Sequence, residues 1–152
     1  MPAVSLREVV EGLDLQSDEL HACLDLTSGE IVVFSLEMAH IAESEHWERA
    51  PEWMKESLPQ VKRALEGDHM LDLPDRAHID EWRMMQDFAE AEPQCRCRNE
   101  LSAAARGKGA FRSFRDAVRR LGLEQAWYDY REAAYLRVAR EWLEENGIRY
   151  RD

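Results

Sequence analysis

The sequence predicts an α+β fold: a helix-rich single domain over residues 1–152, in which a small antiparallel sheet packs against about five helices. Two short β-like runs near the N-terminus flank a glycine turn, and a third follows later. Apolar residues recur at helical spacing over most of the remaining chain. No linker, repeat or low-complexity tract divides it, and this length can close one hydrophobic core without disulfides.

The N-terminal region predicts a short helix followed by a β-hairpin. Ser5 and Glu8 form a capping box, and we expect the helix that begins there to end near Gly12. Strands are expected over 20–26 and 30–35, with Gly29 in the turn between them, because a tight hairpin turn needs positive φ. The sequence therefore predicts one antiparallel pair in this region.

The segment between the hairpin and the third strand has a ragged helical pattern. It predicts one helix over 37–49, a second helix with Pro51 in its first turn, and an interruption or kink at Pro59. Gly67 is expected to end this helical region. The third strand is expected over 69–73, where apolar residues lie between turn residues, and it would pair with the hairpin.

The second half of the chain predicts helices only. Asp75 is expected to cap a helix that ends before Pro93, with one face formed by Ile79, Trp82, Met85, Phe88 and Ala89. Further helices are expected over 94–105, 110–121 and 123–146, the last of them with Trp127, Ala134, Val138 and Trp142 on its buried side. The pair Gly107 and Gly109 forms the hinge before the helix that begins at residue 110.

Charge is distributed unevenly along the chain. The net charge is −11, which disfavours the binding of phosphate backbones by the whole surface. Between positions 96 and 120, however, two acidic residues stand against eight basic ones, so this segment carries +6 and the remainder −17. The eight are Arg96, Arg98, Arg106, Lys108, Arg112, Arg115, Arg119 and Arg120.

The helix expected over 110–121 carries the candidate binding site. Its apolar face, which we expect to be buried, consists of Phe111, Phe114, Val118 and Leu121. Glycines allow close approach of a ligand to the backbone, and a helix N-terminus favours anions. An anion or partner site is therefore predicted at Arg106, Gly107, Lys108, Gly109, Arg112, Arg115 and Arg119. The alternative is that the glycines only turn the chain while the arginines pair with carboxylates of the protein.

Other sites are not indicated by the sequence. The glycine pair lacks the spacing of a phosphate-binding loop or a dinucleotide fingerprint. Glu37-x-x-His40 and Glu43-x-x-His46 have a di-iron spacing, but on one helix the two pairs would point about 120° apart. We therefore expect no metal and no cofactor. Cys95 and Cys97 are too close for a disulfide framework, and no signal peptide is visible, so a cytoplasmic protein with reduced thiols and no membrane association is expected.

Several segments together resemble a known family. They are 24–32 in the hairpin, 81–88 in the middle of the chain, Arg106–Asp116, the pair Trp127-Tyr128, and the C-terminal pairs Trp142-Leu143 and Gly147-Ile148. This combination resembles the bacterial uncharacterised protein family numbered 0158, and the stretch 35–67 is the least alike. The resemblance implies a small acidic bacterial protein with this fold. It implies no activity and no catalytic residues.

Three functional hypotheses follow. The first is a non-enzymatic interaction or regulatory module that binds another protein, for instance a basic one, or a small anion; exposed Trp47 or Trp53 would support it. The second is nucleic-acid binding by 108–120, with Trp127, Tyr128 and Tyr130 stacking on bases, which the −17 of the remainder opposes. The third is an enzyme whose site the sequence does not reveal, since no catalytic motif is present. The sequence does not predict the partner's identity or the oligomeric state.

Overall fold

A computed structural model describes residues 2–152, apart from the side chain of Ala77. The chain forms two compact units. Unit 1 comprises the residues up to Arg76 together with Ala139–Asp152, and unit 2 comprises Ala77–Val138. The α+β, helix-rich class predicted from the sequence is confirmed, because helices dominate and a small antiparallel sheet lies in unit 1. The expectation of a single domain stays a prediction.

In chain order the elements are β1 (Val4–Ser5), α1 (Leu6–Leu15), β2 (Leu20–Asp25), β3 (Ile31–Ser35), α2 (Leu36–Glu43), a 3-10 turn (Trp47–Arg49), α3 (Glu52–Lys55), α4 (Leu58–Glu66), β4 (Met70–Asp72), α5 (Arg76–Ile79), α6 (Glu81–Ala91), α7 (Cys95–Ala104), α8 (Ala110–Arg120), α9 (Glu124–Glu145) and β5 (Tyr150–Arg151). The described chain thus has more helices than expected. Proline and turn residues divide the long segments that the sequence pattern had joined.

The sheet of unit 1 has the strand order β3-β2-β4, with both pairs antiparallel. The predicted hairpin and third strand are therefore confirmed. Gly29 adopts a φ of 78° in the hairpin turn, and its N–H donates to the carbonyl of Asp25 at 2.8 Å. Because side chains alternate along β2, His21 and Cys23 lie on one face of the sheet, and Ala22 and Leu24 lie on the other.

Helix α1 packs on the Ala22 face of the sheet. Ser5 caps it as predicted, since its hydroxyl accepts the N–H of Glu8 at 3.4 Å. The expected end near Gly12 is wrong, because α1 continues to Leu15. Gly12 is instead a point of close approach to the sheet, where an added Cβ would lie 2.9 Å from the side chain of Leu73.

The opposite face of the sheet carries the core that α2 and α4 cover. Its buried side chains are Cys23, Val32, Phe34, Ala42, Ala50, Met54, Leu58 and Val61. The single helix expected over 37–49 is wrong, because α2 ends at Glu43, where the hydroxyl of Ser44 donates to the carbonyl of Ile41 at 2.7 Å. The predicted interruption is present next to Pro59, because α3 ends at Lys55 and α4 begins at Leu58; Pro59 lies in the first turn of α4 and does not kink it. Gly67 ends that helix as predicted.

The two tryptophans of this region differ in exposure. The indole N–H of Trp47 donates to the carbonyl of Ala42 at 3.2 Å, and the ring is half-buried. Trp53 on α3 is 73% exposed. Of these two tryptophans, whose exposure would support the interaction hypothesis, Trp53 is the exposed one.

A second, parallel pair of strands joins the two ends of the chain. β1 pairs with β5, with Val4 opposite Tyr150 and Ser5 opposite Arg151. The N–H of Val4 donates to the carbonyl of Arg149 at 3.0 Å. The sequence analysis missed this pair, because two-residue strands leave no alternation to detect.

Unit 2 is built around an aromatic cluster of α6, α8 and α9. Trp127 lies 4.9 Å from Phe114 and 5.3 Å from Phe88 between ring centroids, and both contacts are edge-to-face. The helix expected from Asp75 to residue 92 is interrupted at Asp80, whose φ is 52° and whose carboxylate caps α6 by accepting the N–H of Arg83 at 3.2 Å. α5 and α6 are therefore separate helices.

A polar network also stabilises unit 2. The hydroxyl of buried Tyr135 donates to the carboxylate of Glu81 at 3.2 Å, and the same carboxylate pairs with Arg131. The guanidinium of Arg131 donates to the Tyr135 hydroxyl at 3.1 Å. This network joins α6 to α9 and satisfies the buried polar atoms involved.

Candidate functional site

The predicted site residues lie in the loop between α7 and α8 and on α8 itself. Gly107 and Gly109 have φ values of 75° and 72°, which L side chains rarely adopt. A Cβ added at either position would meet no atom within 4 Å. The glycines are thus explained by the turn they make, and not by close packing.

The predicted cations fall into two groups. Arg106, Lys108, Arg112 and Arg115 are exposed, and none of them forms an ion pair with the described residues. Arg119, in contrast, pairs with Glu124 at 3.2 Å. Arg96 and Arg120 also pair internally, both with Glu100. The alternative that the arginines pair with carboxylates therefore holds for the end of α8 and not for its start.

Phe111 is 51% exposed, so the expectation that it is buried is wrong. The buried face of α8 consists of Ala110, Phe114, Ala117 and Val118, and Phe111 lies at the edge of this stripe. Arg115 follows Phe111 by one helical turn, and Arg112 is its neighbour in the chain. We call the set Arg106, Lys108, Phe111, Arg112 and Arg115 the α8 basic face.

The aromatic residues proposed to stack on bases are mostly inaccessible. Trp127 is 7% exposed, and Tyr130 stacks on it with a ring angle of 23°. Tyr128 alone of the three is clearly exposed, at 48%. The prediction that Trp127 lies beside the arginines as a stacking platform is therefore wrong, because the aromatic cluster of unit 2 needs it.

Charge separates between the two units. Unit 2 contains eleven basic and ten acidic residues and has a net charge of +1, so unit 1, with nine and twenty-one, carries −12. The excess negative charge of the chain therefore belongs to unit 1. The α8 basic face lies in the unit that is nearly neutral overall.

A cavity that the sequence analysis missed lies in unit 1. Its volume is about 440 Å³, and β2, β3, β4, α2, α4 and the turn before β2 line it. The floor is apolar and consists of Cys23, Phe34, Ala39, Ala64, Leu65 and Met70. The rim is polar and consists mainly of Asp18, Glu19, His21 and Asp72. We call it the unit 1 cavity; because residues from six structural elements form it, no local sequence motif signals it.

The chemistry of the unit 1 cavity argues against nucleophilic catalysis. His21 Nε2 lies 2.8 Å from an oxygen of Asp72, and Cys23 is on the same face of the sheet. Burial, reinforced by the charges of Asp72 and Asp25, raises the pKa of the Cys23 thiol to about 11. The thiol is directed to the carbonyl of Val32, with a distance of 3.7 Å. A thiol that is neutral at pH 7 and 2% exposed is a structural residue.

One carboxylate is held ionised for a structural reason. Asp25 is 2% exposed and accepts the N–H of Thr27 at 2.8 Å and of Ser28 at 3.3 Å, and it pairs with Arg63 at 3.0 Å. Burial alone would raise the pKa of Asp25, but these donors together hold it below its usual value. The carboxylate fixes the hairpin turn and belongs to no site.

In comparisons with known proteins, no family model, no curated protein and no solved structure matches the chain. The resemblance to the bacterial family numbered 0158 stays a prediction from the sequence. None of the helices formed by residues 2–152 has the length and apolar character that crossing a membrane requires.

Proposed function

We propose that the protein is a non-enzymatic interaction module that binds an acidic segment of another protein through the α8 basic face. One observation carries this proposal: four cations that form no ion pair with the described residues, and a phenylalanine, are all exposed within the short segment 106–115. These side chains belong neither to the buried core of unit 2 nor to the ion pairs that its described residues form. Neither of these roles therefore explains why the four cations and the phenylalanine occur on one short exposed segment.

The composition of the face fits protein recognition. Aromatic and arginine side chains dominate the binding energy of protein interfaces, whereas lysine is depleted there. Arg112 and Arg115 can each bind a carboxylate through two parallel hydrogen bonds. Phe111 would then cover apolar surface of the partner beside these contacts, so an acidic segment with an apolar residue is the favoured ligand.

An enzyme is the less supported hypothesis. The unit 1 cavity has a His–Asp pair, but the neighbouring thiol is protonated and buried. The pKa of Asp25, also in unit 1, is lowered, and the hairpin turn explains this shift. Perturbed pKa values at convergent groups are the usual sign of an active site, and here they have structural causes.

Binding of nucleic acid is the second candidate, and the exposed arginines favour it as well. Arginine and lysine contact phosphates, and each neutralised phosphate releases counterions. Against it stand the −12 of unit 1 and the burial of Trp127, which the stacking hypothesis had placed beside the arginines. We therefore favour an acidic protein over a polyanion.

The test compares two charge-matched double variants in a pull-down from bacterial lysate. Arg112→Glu/Arg115→Glu reverses the centre of the face, while Arg83→Glu/Arg137→Glu reverses two other exposed arginines of unit 2. Each bait is used with and without nuclease. We expect the wild type and the control to retain the same protein after nuclease and the face variant to lose it. Nuclease-sensitive capture would favour the second candidate, and equal capture by both variants would refute the site.

A further inference from the structure

We propose that the unit 1 cavity binds a basic peptide segment of a partner protein, anchored by one bulky apolar side chain. This inference is independent of the proposed function, because the α8 basic face belongs to unit 2. It rests on three features of unit 1: the apolar floor of the cavity, its acidic rim and the net charge of the unit.

The floor of the cavity suits a large apolar side chain. Phe34, Met70 and Leu65 line it together with the methyl groups of Ala39 and Ala64. A volume of about 440 Å³ is at the lower end of the range for ligand pockets and is ample for one aromatic or branched aliphatic side chain with adjacent backbone. An apolar side chain that enters such a pocket buries its own surface and the apolar surface of the floor, and the hydrophobic effect favours the removal of both from water.

Exposed apolar surface continues at the mouth of the cavity. Leu36, in the first turn of α2, lines it and is 70% exposed. A solvent-exposed leucine next to an open apolar pocket extends the surface that an occupant would cover. This arrangement favours a ligand longer than one side chain, such as a peptide that crosses the mouth.

The rim selects a cationic ligand. Asp18 and Glu19 are exposed and form no ion pair with the described residues, and Asp72, one oxygen of which pairs with His21, lies on β4 at another part of the rim. Acids from two separate segments suit cations on either side of an apolar anchor better than one central cation. The net charge of −12 on unit 1 attracts such a segment and repels an acidic peptide or a polynucleotide.

The experiment uses a defined probe and the full-length protein. The probe is a fluorescein-labelled peptide with phenylalanine between two pairs of lysines, and binding is followed by fluorescence anisotropy at low ionic strength. There are two control peptides. In one, alanine replaces the phenylalanine, and in the other, serine replaces all lysines. We expect the parent peptide to bind about tenfold or more tightly than either control, because anchor and cations both contribute. No saturable binding, or equal binding of either control, would overturn the proposal.

Variants of the protein locate the binding site. Asp18→Asn/Glu19→Gln removes two rim charges, while Glu43→Gln/Glu45→Gln removes two exposed charges of unit 1 that do not line the cavity. We expect the rim variant to weaken binding about three- to tenfold and the control less than twofold. Ala64→Phe fills the cavity and should abolish binding while the circular dichroism spectrum is kept. Equal losses in the two double variants would contradict a local rim and overturn the site.

A second copy of the chain is an alternative occupant that the same material tests. Another copy of the chain presents an exposed apolar ring, Phe111, with basic residues near it in the sequence. A self-complex in which this ring occupies the cavity would appear as concentration-dependent mass in analytical ultracentrifugation. We expect a mass that is independent of concentration in the range where the peptide binds. Self-association removed by both Phe111→Ala and Ala64→Phe would overturn a partner protein as the occupant.

Discussion

Asp25 provides the sharpest stability prediction. The carboxylate is 2% exposed at the end of β2 and receives the N–H groups of Thr27 and Ser28, while Arg63 pairs with its other oxygen. Asp25→Ala removes the acceptor of both backbone donors and the partner of the guanidinium. Asp25→Asn keeps one oxygen for the backbone donors, but it loses the charge and places an amide NH2 group where the second oxygen accepted from Arg63.

The structure sets the size of each effect. An unsatisfied buried donor costs about 1–3 kcal/mol, but Thr27 is exposed enough for water to replace part of that bond. The pair with Arg63 contributes little, at most about 1 kcal/mol, because the Arg63 side chain is 63% exposed. We therefore expect a loss in the free energy of unfolding of about 2–3 kcal/mol for Asp25→Ala and about 1 kcal/mol for Asp25→Asn.

The pH dependence gives an independent check. Because the folded pKa of Asp25 is lowered, its contribution to stability is complete above the unfolded pKa of about 3.9 and is lost as the pH falls through the folded pKa. Urea unfolding at pH 7 and at pH 3 measures the loss of stability in the Asp25 variants and its dependence on pH. Asp68→Asn is the control, because it removes the charge of an exposed acid. A loss below about 0.5 kcal/mol for Asp25→Ala at pH 7, or wild-type pH dependence in Asp25→Asn, would refute the reasoning.

Three further predictions concern backbone, surface and thiols. Phe111→Ala should change the free energy of unfolding by less than about 0.5 kcal/mol, because the ring is exposed; a loss of about 3 kcal/mol in urea unfolding would mean that it is buried. Gly109→Ala should cost about 1 kcal/mol in the same assay, because its φ is 72°, and an unchanged stability would contradict that conformation. At pH 8, Ellman's reagent should modify Cys95 and Cys97 rapidly and Cys23 only on unfolding, since the pKa of that buried thiol is about 11; three equally fast thiols would be the contrary result.

The strongly patterned parts of the fold were predictable from the sequence. The hairpin was signalled by β-branched residues around Gly29, and the helix boundaries at Gly67 and Gly109 followed from glycine. The β1–β5 pair and the continuation of α1 through Gly12 were not predictable, because both depend on contacts between distant segments. Local pattern carries no information about such contacts.

The candidate site was predictable only in part. The charge count located the basic segment, but it did not separate Arg112 and Arg115, which pair with no acid among the described residues, from Arg119, which pairs with Glu124. Helical periodicity placed Phe111 on the buried face, whereas it lies at the edge of that stripe and is exposed. Which residues at the edge of an amphipathic helix are covered depends on the neighbouring helices, so the sequence alone left this open.

The most direct test of the proposed interaction module uses the partner protein that the wild type retains in the pull-down after nuclease treatment. It measures the affinity of this partner for two variants, each with one aromatic residue of unit 2 replaced. Phe111→Ala removes the aromatic ring of the α8 basic face, and Tyr128→Ala removes a similarly exposed ring that is not part of it. Titration of the purified partner by fluorescence anisotropy gives both dissociation constants. We predict that Phe111→Ala weakens binding about tenfold or more and that Tyr128→Ala weakens it less than about twofold. Unchanged affinity in Phe111→Ala would contradict the α8 basic face as the binding site.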